Sequence, residues 1–210
     1  MAGPYDLEEQ ERIEAMKAWW EDNARWVYAL IAVAVVAVAG WRGWEYWNRV
    51  QNEEASALSQ ELARSRGDAK KASDLAQVLA EKYPRTFYAS EAGLVAARTA
   101  FDAGDLEGAR ARLDWVVKNG RAEHKGVARL RLAAVLLDLK KPKEALEVLD
   151  QGADPAFAAL TADLRGDIHF SQGRLDEARA AYKLAIEKSD ARSPTRNITE
   201  LKLGALGGTP

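Results

Sequence analysis

The chain has 210 residues, 48% of them hydrophobic and 30% charged, with a formal net charge of −2. That balance argues against a nucleic-acid partner, because neutralising phosphates takes a clustered excess of Lys and Arg and no such cluster is present. The absence of cysteine excludes disulfides, zinc ribbons, iron–sulfur ligation and thiol catalysis, and leaves the compartment open.

Taken in chain order, residues 1–25 form an acidic, helix-prone segment expected to be amphipathic. The tryptophans gather around the apolar run next in the chain: of seven in all, only Trp115 lies outside the first quarter. From Trp26 to Trp41 the run WVYALIAVAVVAVAGW carries no charge, and Arg25 and Arg42 bound it. As a helix it covers roughly 24 Å at ~1.5 Å per residue, a little short of the ~30 Å hydrocarbon core. Outward snorkelling of Arg25 and Arg42 and continuation through Gly43 and Trp44 close the gap, so a transmembrane helix is expected over 26–47. Trp19, Trp20, Trp26, Trp41, Trp44 and Trp47 are the candidate membrane-interface residues, since an indole satisfies its apolar body and its N–H together at headgroup level.

A cleaved signal peptide would lead with a basic region and end at a small-residue site. Here an acidic stretch leads, and Gly40-Trp41-Arg42-Gly43-Trp44 occupies the exit, so the segment reads as an uncleaved anchor in a lipid bilayer. Arg12, Lys17 and Arg25 before the span outnumber Arg42 and Arg49 close after it, a small bias toward a cytoplasmic N-terminus.

Beyond Tyr46 the composition is helical and strand-type alternation is nowhere sustained. Pairing a turn residue with a helix alanine aligns Gly67/Ala72, Gly104/Ala109, Lys140/Ala145 and Gly173/Ala178, at turn-to-turn offsets of 37, 36 and 33 residues. These bracket the ~34-residue period of a helix–turn–helix repeat that must stack on its neighbours to bury its apolar face. A non-repeating helical bundle is the alternative. The expected fold is all-α: the single N-terminal transmembrane helix, then a tetratricopeptide-like α-solenoid of about four helix pairs over 48–192, then a C-terminal capping helix and tail over 193–210. Residues 48–66 should supply the first helix of copy one. In copy two, Leu106, Ala109, Leu113 and Val116 or Val117 should face inward, with Gly104 ending one helix and Asp105 capping the next. Leu201, Leu203 and Leu206 are expected to cover the last copy, ahead of a frayed end at 207–210.

Catalysis has no candidate constellation: His124 and His169 fall in different copies, and no nucleophile elbow, Walker A or zinc-helix motif is present. Acid pairs such as Glu53-Glu54 and Asp176-Glu177 are expected at helix starts, where they complement the helix dipole. No cofactor is expected.

The residues Glu14-Ala15-Met16-Lys17-Ala18-Trp19-Trp20-Glu21-Asp22-Asn23 before the span, Gly40-Trp41-Arg42 with Trp44, Tyr46 and Trp47 at its exit, and Gly166, Gly173, Ala178, Tyr182 and Ala185 in the last copy resemble the bacterial ancillary SecYEG translocon subunit family (YfgM-like). The resemblance covers nearly the whole chain. It implies an inner-membrane protein with one span and a periplasmic repeat domain. It also implies association with the SecYEG channel, with a membrane-anchored periplasmic chaperone (PpiD-like), and with translocating proteins. A membrane-tethered scaffold for envelope assembly or division is the alternative.

In stacked tetratricopeptide units the first helix of each pair lines the concave wall. The register set by Ala109, Ala145 and Ala178 therefore places Leu94, Arg98 and Phe101, then Leu130, Ala134 and Leu137, then Asp163, Asp167 and Phe170 on a protein-binding groove. This set lacks the Lys and Asn pattern that clamps a free C-terminal carboxylate. It suits apolar anchors of extended or helical segments.

Overall fold

A computed structural model describes residues 5–65, 68–152 and 154–207. The chain forms helices α1 (Tyr5–Arg64), α2 (Ala69–Lys82), α3 (Phe87–Asp102), α4 (Leu106–Asn119), α5 (Ala122–Asp138), α6 (Pro142–Asp150), α7 (Ala158–Ser171), α8 (Leu175–Lys188) and α9 (Pro194–Ala205), with one 3-10 turn at Pro155–Phe157 before α7. Two compact units divide at Val50 and Gln51.

The first unit carries the long apolar part of α1. Its most hydrophobic window has a mean hydropathy of 1.8 and is wholly exposed, and among the described residues it is the one stretch of helix long and apolar enough to cross a membrane. Exposure decides against a core helix, which would bury the same residues against protein. Burying such side chains gains roughly 25 cal/mol per Å², so a surface of this kind calls for lipid or another apolar helix. Glu53 and Glu54 lie inside α1 rather than at a helix start, and Glu54 instead accepts a hydrogen bond from the Tyr83 hydroxyl at 2.9 Å.

In the second unit, residues 51–64 of α1 pair with α2, α3 with α4, α5 with α6, and α7 with α8. The aligned alanines explain the close pairing. Ala72 is 3% exposed, and Ala109, Ala145 and Ala178 are fully buried, so each is small enough for helices to meet over it. Copy two resolves its open register in favour of Val116, which joins Ala109 and Leu113 in the core while Val117 stays partly buried. Caps follow the local chemistry. Asp68, Thr86 and Asp105 each accept from a backbone N–H three residues on, and Pro142 and Pro194 open α6 and α9, where a missing N–H costs nothing.

Three aligned turns adopt the left-handed backbone at the same position: Gly104 at φ 80°, Lys140 at φ 61° and Gly173 at φ 72°. The turn aligned at Gly67 lies outside the described residues. The lysine shows that geometry, not glycine as such, defines the turn; an L side chain there is strained by about 1 kcal/mol. Lys140→Gly is therefore expected to stabilise the domain by about 0.5 kcal/mol, the part of the relieved strain that the added freedom of the unfolded chain does not cancel. A higher melting temperature by circular dichroism would show it, and a lower one would refute it.

Gly207 has φ 69° and its N–H donates to Gly204 at 2.9 Å. It repeats the turn 34 residues after Gly173, so α9 has the character of a first helix of a further unit, and Gly207 is an ordered turn where fraying was expected. Residues 208–210 lie outside the described residues. Of the three leucines expected to cover the last copy, Leu203 is fully buried and Leu206 packs beside it, but Leu201 is 75% exposed. Thr199 and Leu203 set the buried face of α9, and Leu201 points away from it.

Candidate functional site

The first helix of each pair carries the wall positions, and the structure sorts them by burial. Leu94 is 9% exposed and belongs to the core with Leu113 and Leu132; it supports the wall from beneath, because it faces α4 and α5. Leu130 and Leu137 are partly buried against the same core. Arg98 and Phe101 are exposed, and with the half-buried Ala134 they line one cavity between α3 and α5. Phe170 is 53% exposed on α7.

Asp163 and Asp167 are not open edges of a groove. The ammonium of Lys202 on α9 sits 2.8 Å from each carboxylate, the Thr199 hydroxyl donates to Asp163 at 2.8 Å, and the Tyr182 hydroxyl donates to Asp167 at 2.9 Å. Sequence register placed the two aspartates on the wall without showing that α9 covers them. Burial lowers the Lys202 pKa, but the hydrogen bonds to Asp163 and Asp167 and their charges outweigh it, so the net shift is upward. Tyr182 is raised as well, first by burial and then by its bond to Asp167.

Ion pairs tie successive pairs together on the second helices. Arg110 reaches Glu144 at 2.9 Å and Lys141 reaches Glu107 at 3.0 Å, both joining α4 to the start of α6. The hydrogen bond from Lys141, above all, holds the exposed Glu107 carboxyl below its ordinary pKa.

A feature that the wall register missed lies on the other side of α3. Small residues Gly93, Ala96, Ala100 and Ala103 floor a cavity of about 580 Å³ between α2 and α4, rimmed by Gln77, Glu81, Arg112 and Trp115. The signal was legible as a three- and four-residue spacing of Gly and Ala in FYASEAGLVAARTAFDAG, on the face of α3 turned away from Arg98.

Among the described residues, no group of three or more His and acid side chains is placed to hold a metal ion. His169 sits in the last turn of α7, where burial and then Arg174 lower its pKa. His124 packs edge-on against Phe87 with ring centroids 4.8 Å apart.

In the first unit all six candidate interface tryptophans are exposed. Trp20 meets Tyr28 edge to face at 5.8 Å, and Trp41 and Trp44 lie 6.1 Å apart. The Arg25 guanidinium stands 5.6 Å from the Trp26 ring, a cation–π contact at the edge of the apolar run.

A family model for a tetratricopeptide repeat-like domain matches residues 17–208. The chain is 32% identical to the ancillary SecYEG translocon subunit of Neisseria gonorrhoeae, over 95% of this chain and 98% of that one. It is 30% identical to the protein of the same name from Haemophilus influenzae, over 96% and 99%, and 34% identical to that of Escherichia coli, over 60% and 63%. Among solved structures, MamA (41 to the end) from Desulfovibrio magneticus RS-1 superposes with a TM-score of 0.56 at 23% identity, covering 75% of this chain and 84% of that one; that likeness bears on the fold alone.

Proposed function

The chain belongs to the family of ancillary SecYEG translocon subunits, with a tetratricopeptide repeat-like domain over most of its length, and from that premise we propose that it is a non-catalytic partner of the SecYEG channel. The apolar part of α1 anchors it in the bacterial inner membrane with the N-terminus in the cytoplasm, and its tryptophans sit at the two interfaces. The repeat domain lies in the periplasm. There its wall contacts a PpiD-like membrane-anchored chaperone and proteins emerging from the channel, through Arg98, Phe101, Ala134 and Phe170 with Leu94, Leu130 and Leu137 beneath.

The observation that carries this reading is the pairing of a fully exposed apolar helix with a repeat domain whose first helices leave Phe101 and Phe170 uncovered. Aromatic side chains, phenylalanine among them, are enriched at protein interfaces relative to the rest of the surface. Detergent pull-down of the intact chain should recover channel subunits and the chaperone. Phe101→Ala with Phe170→Ala should reduce chaperone recovery without lowering the melting temperature. An equal yield from the variant would remove the wall from the reading, and a large loss of stability would assign both rings to packing.

Topology has its own test. Cysteines placed at Ala2 and Ala205 should react differently with a membrane-impermeant thiol reagent on intact spheroplasts, the second labelling and the first not. Labelling at Ala2 alone would invert the protein and overturn its proposed role in the periplasm.

A further inference from the structure

Between α3 and α5 the wall is hollow. Ala97, Arg98 and Phe101, Leu113, and Arg131, Ala134 and Val135 line a half-open cavity of about 190 Å³. That is well below the ~300–1,000 Å³ of small-molecule sites, whereas a cavity of ~150 Å³ already holds a benzene ring. One bulky apolar side chain is the occupant that fits. Ala97, Leu113 and Val135 are buried and give it an apolar floor, and the half-exposed Phe101 supplies an aromatic side.

The electrostatics narrow the choice further. Two guanidiniums line the cavity, and both are exposed. Arg98 is tied to Asp102 at 2.8 Å. Arg131 makes no hydrogen bond or ion pair with any described residue. Two positive charges against one negative leave an excess of positive charge beside an apolar hole. A lysine- or arginine-bearing segment is disfavoured there, while a carboxylate can take the planar fork of Arg131 through two parallel hydrogen bonds.

We infer that this cavity is a socket for a protein segment carrying one bulky apolar residue next to an aspartate or glutamate: the apolar side chain fills the hollow, and the acidic side chain pairs with Arg131. The inference rests on the proposed use of the wall for protein binding and specifies which sequences that wall prefers. Register alone named Arg98, Phe101 and Ala134 but not Arg131, because only the packing of α3 against α5 brings the second guanidinium to the same hollow.

The test uses the full chain in detergent micelles and end-capped Gly/Ser peptides carrying a benzophenone-alanine flanked by two glutamates, two glutamines or two lysines. Illumination followed by mass spectrometry should place the glutamate peptide on Leu113, Ala134 or Val135. Its labelling should exceed that by the lysine peptide roughly ten-fold, the factor that ~1.4 kcal/mol of preference produces. Arg131→Glu, at an exposed position that leaves the core untouched, should abolish or reverse that preference while melting stays unchanged. Ala134→Leu, which fills the hollow, should suppress labelling by all three peptides. Equal labelling by glutamate and lysine peptides, cross-links scattered outside the cavity, or an Arg131→Glu chain that keeps the glutamate preference would each overturn the socket. The channel pull-down separates the two levels. If the parent chain recovers channel and chaperone but shows none of the peptide selectivity, the socket falls and the proposed function stands; if it recovers neither, the proposed function itself fails.

Discussion

Gly166→Val should lower the melting temperature of the repeat domain by about 6–12 °C, the equivalent of about 3 kcal/mol in a protein of this size. A Cβ at position 166 falls 2.3 Å from Cε1 and 2.4 Å from Cδ1 of Tyr182, far inside any tolerable contact. The ring has no room to retreat, because Tyr182 is buried and its hydroxyl is held by Asp167 at 2.9 Å. Intrinsic helix preference works the other way, favouring valine over glycine by a few tenths of a kcal/mol. Overpacking at ~1–3 kcal/mol and a disturbed hydrogen bond worth ~1 kcal/mol exceed it. Thermal unfolding of the detergent-solubilised chain, followed at the helical circular dichroism band, gives the answer. Adding Tyr182→Leu should recover part of the loss, since it removes the clashing ring atoms. A single variant as stable as the parent would mean that α7 and α8 do not approach this closely.

Lys202→Met should cost about 2 kcal/mol and detach α9 from the last pair. The ammonium lies between the Asp163 and Asp167 carboxylates at 2.8 Å and stands 5.6 Å from the Tyr182 ring. Methionine keeps most of the apolar stem but leaves two neighbouring carboxylates without their cation, each then holding only one hydroxyl hydrogen bond, from Thr199 and Tyr182. Breaking a fully buried pair costs ~3–5 kcal/mol and an exposed one ~0–1; with the three side chains 23–31% exposed, the middle of that range applies. The rest of the attachment of α9 is small: Thr199 is buried and donates to Asp163 at 2.8 Å, Leu203 is its one fully buried leucine, and Arg179 and Arg196 bond backbone oxygens at its two ends. Proteolysis after Arg192 or Arg196 should accelerate with the fall in stability, and unchanged melting and cleavage would show that the clamp is ornamental.

The same clamp sets an alkaline limit. Lys202 and Tyr182 both have pKa values raised by folding, so their protonated forms bind more tightly in the folded state. Their contribution is complete below the ordinary pKa of each group and is lost as pH climbs through the folded value. Stability should therefore fall at pH above about 10, and less steeply in Lys202→Met, where only the tyrosine share remains.

Several of these groups were legible one at a time. Gly166 and Tyr182 were both recognisable as repeat-pattern residues, yet nothing in a linear pattern says that one is small because the other's ring lies over it. Lys140 stands where the other aligned turns have glycine, yet the backbone makes the turn regardless, because the hydrogen bonds from Lys140 to Leu137 and from Lys141 to Leu136 depend on dihedral angles and not on the side chain. Asp163 and Asp167 lay on the predicted wall, but the lysine that neutralises them is 39 and 35 residues away.

The amino-acid order by itself determined the uncharged run with its flanking tryptophans, the helical repeat and the alanines over which helices pair. Each of these follows from local physics: a hydrocarbon-length apolar segment, a ~3.6-residue period and side chains small enough for close approach. Only the tertiary structure decided which wall residues are open, that α9 clamps the acidic pair, and that Arg131 joins Arg98 beside an apolar hollow. Those outcomes depend on which helix lies against which, and the register of one helix on another is set by side-chain interlocking across repeats, which no single stretch of sequence contains.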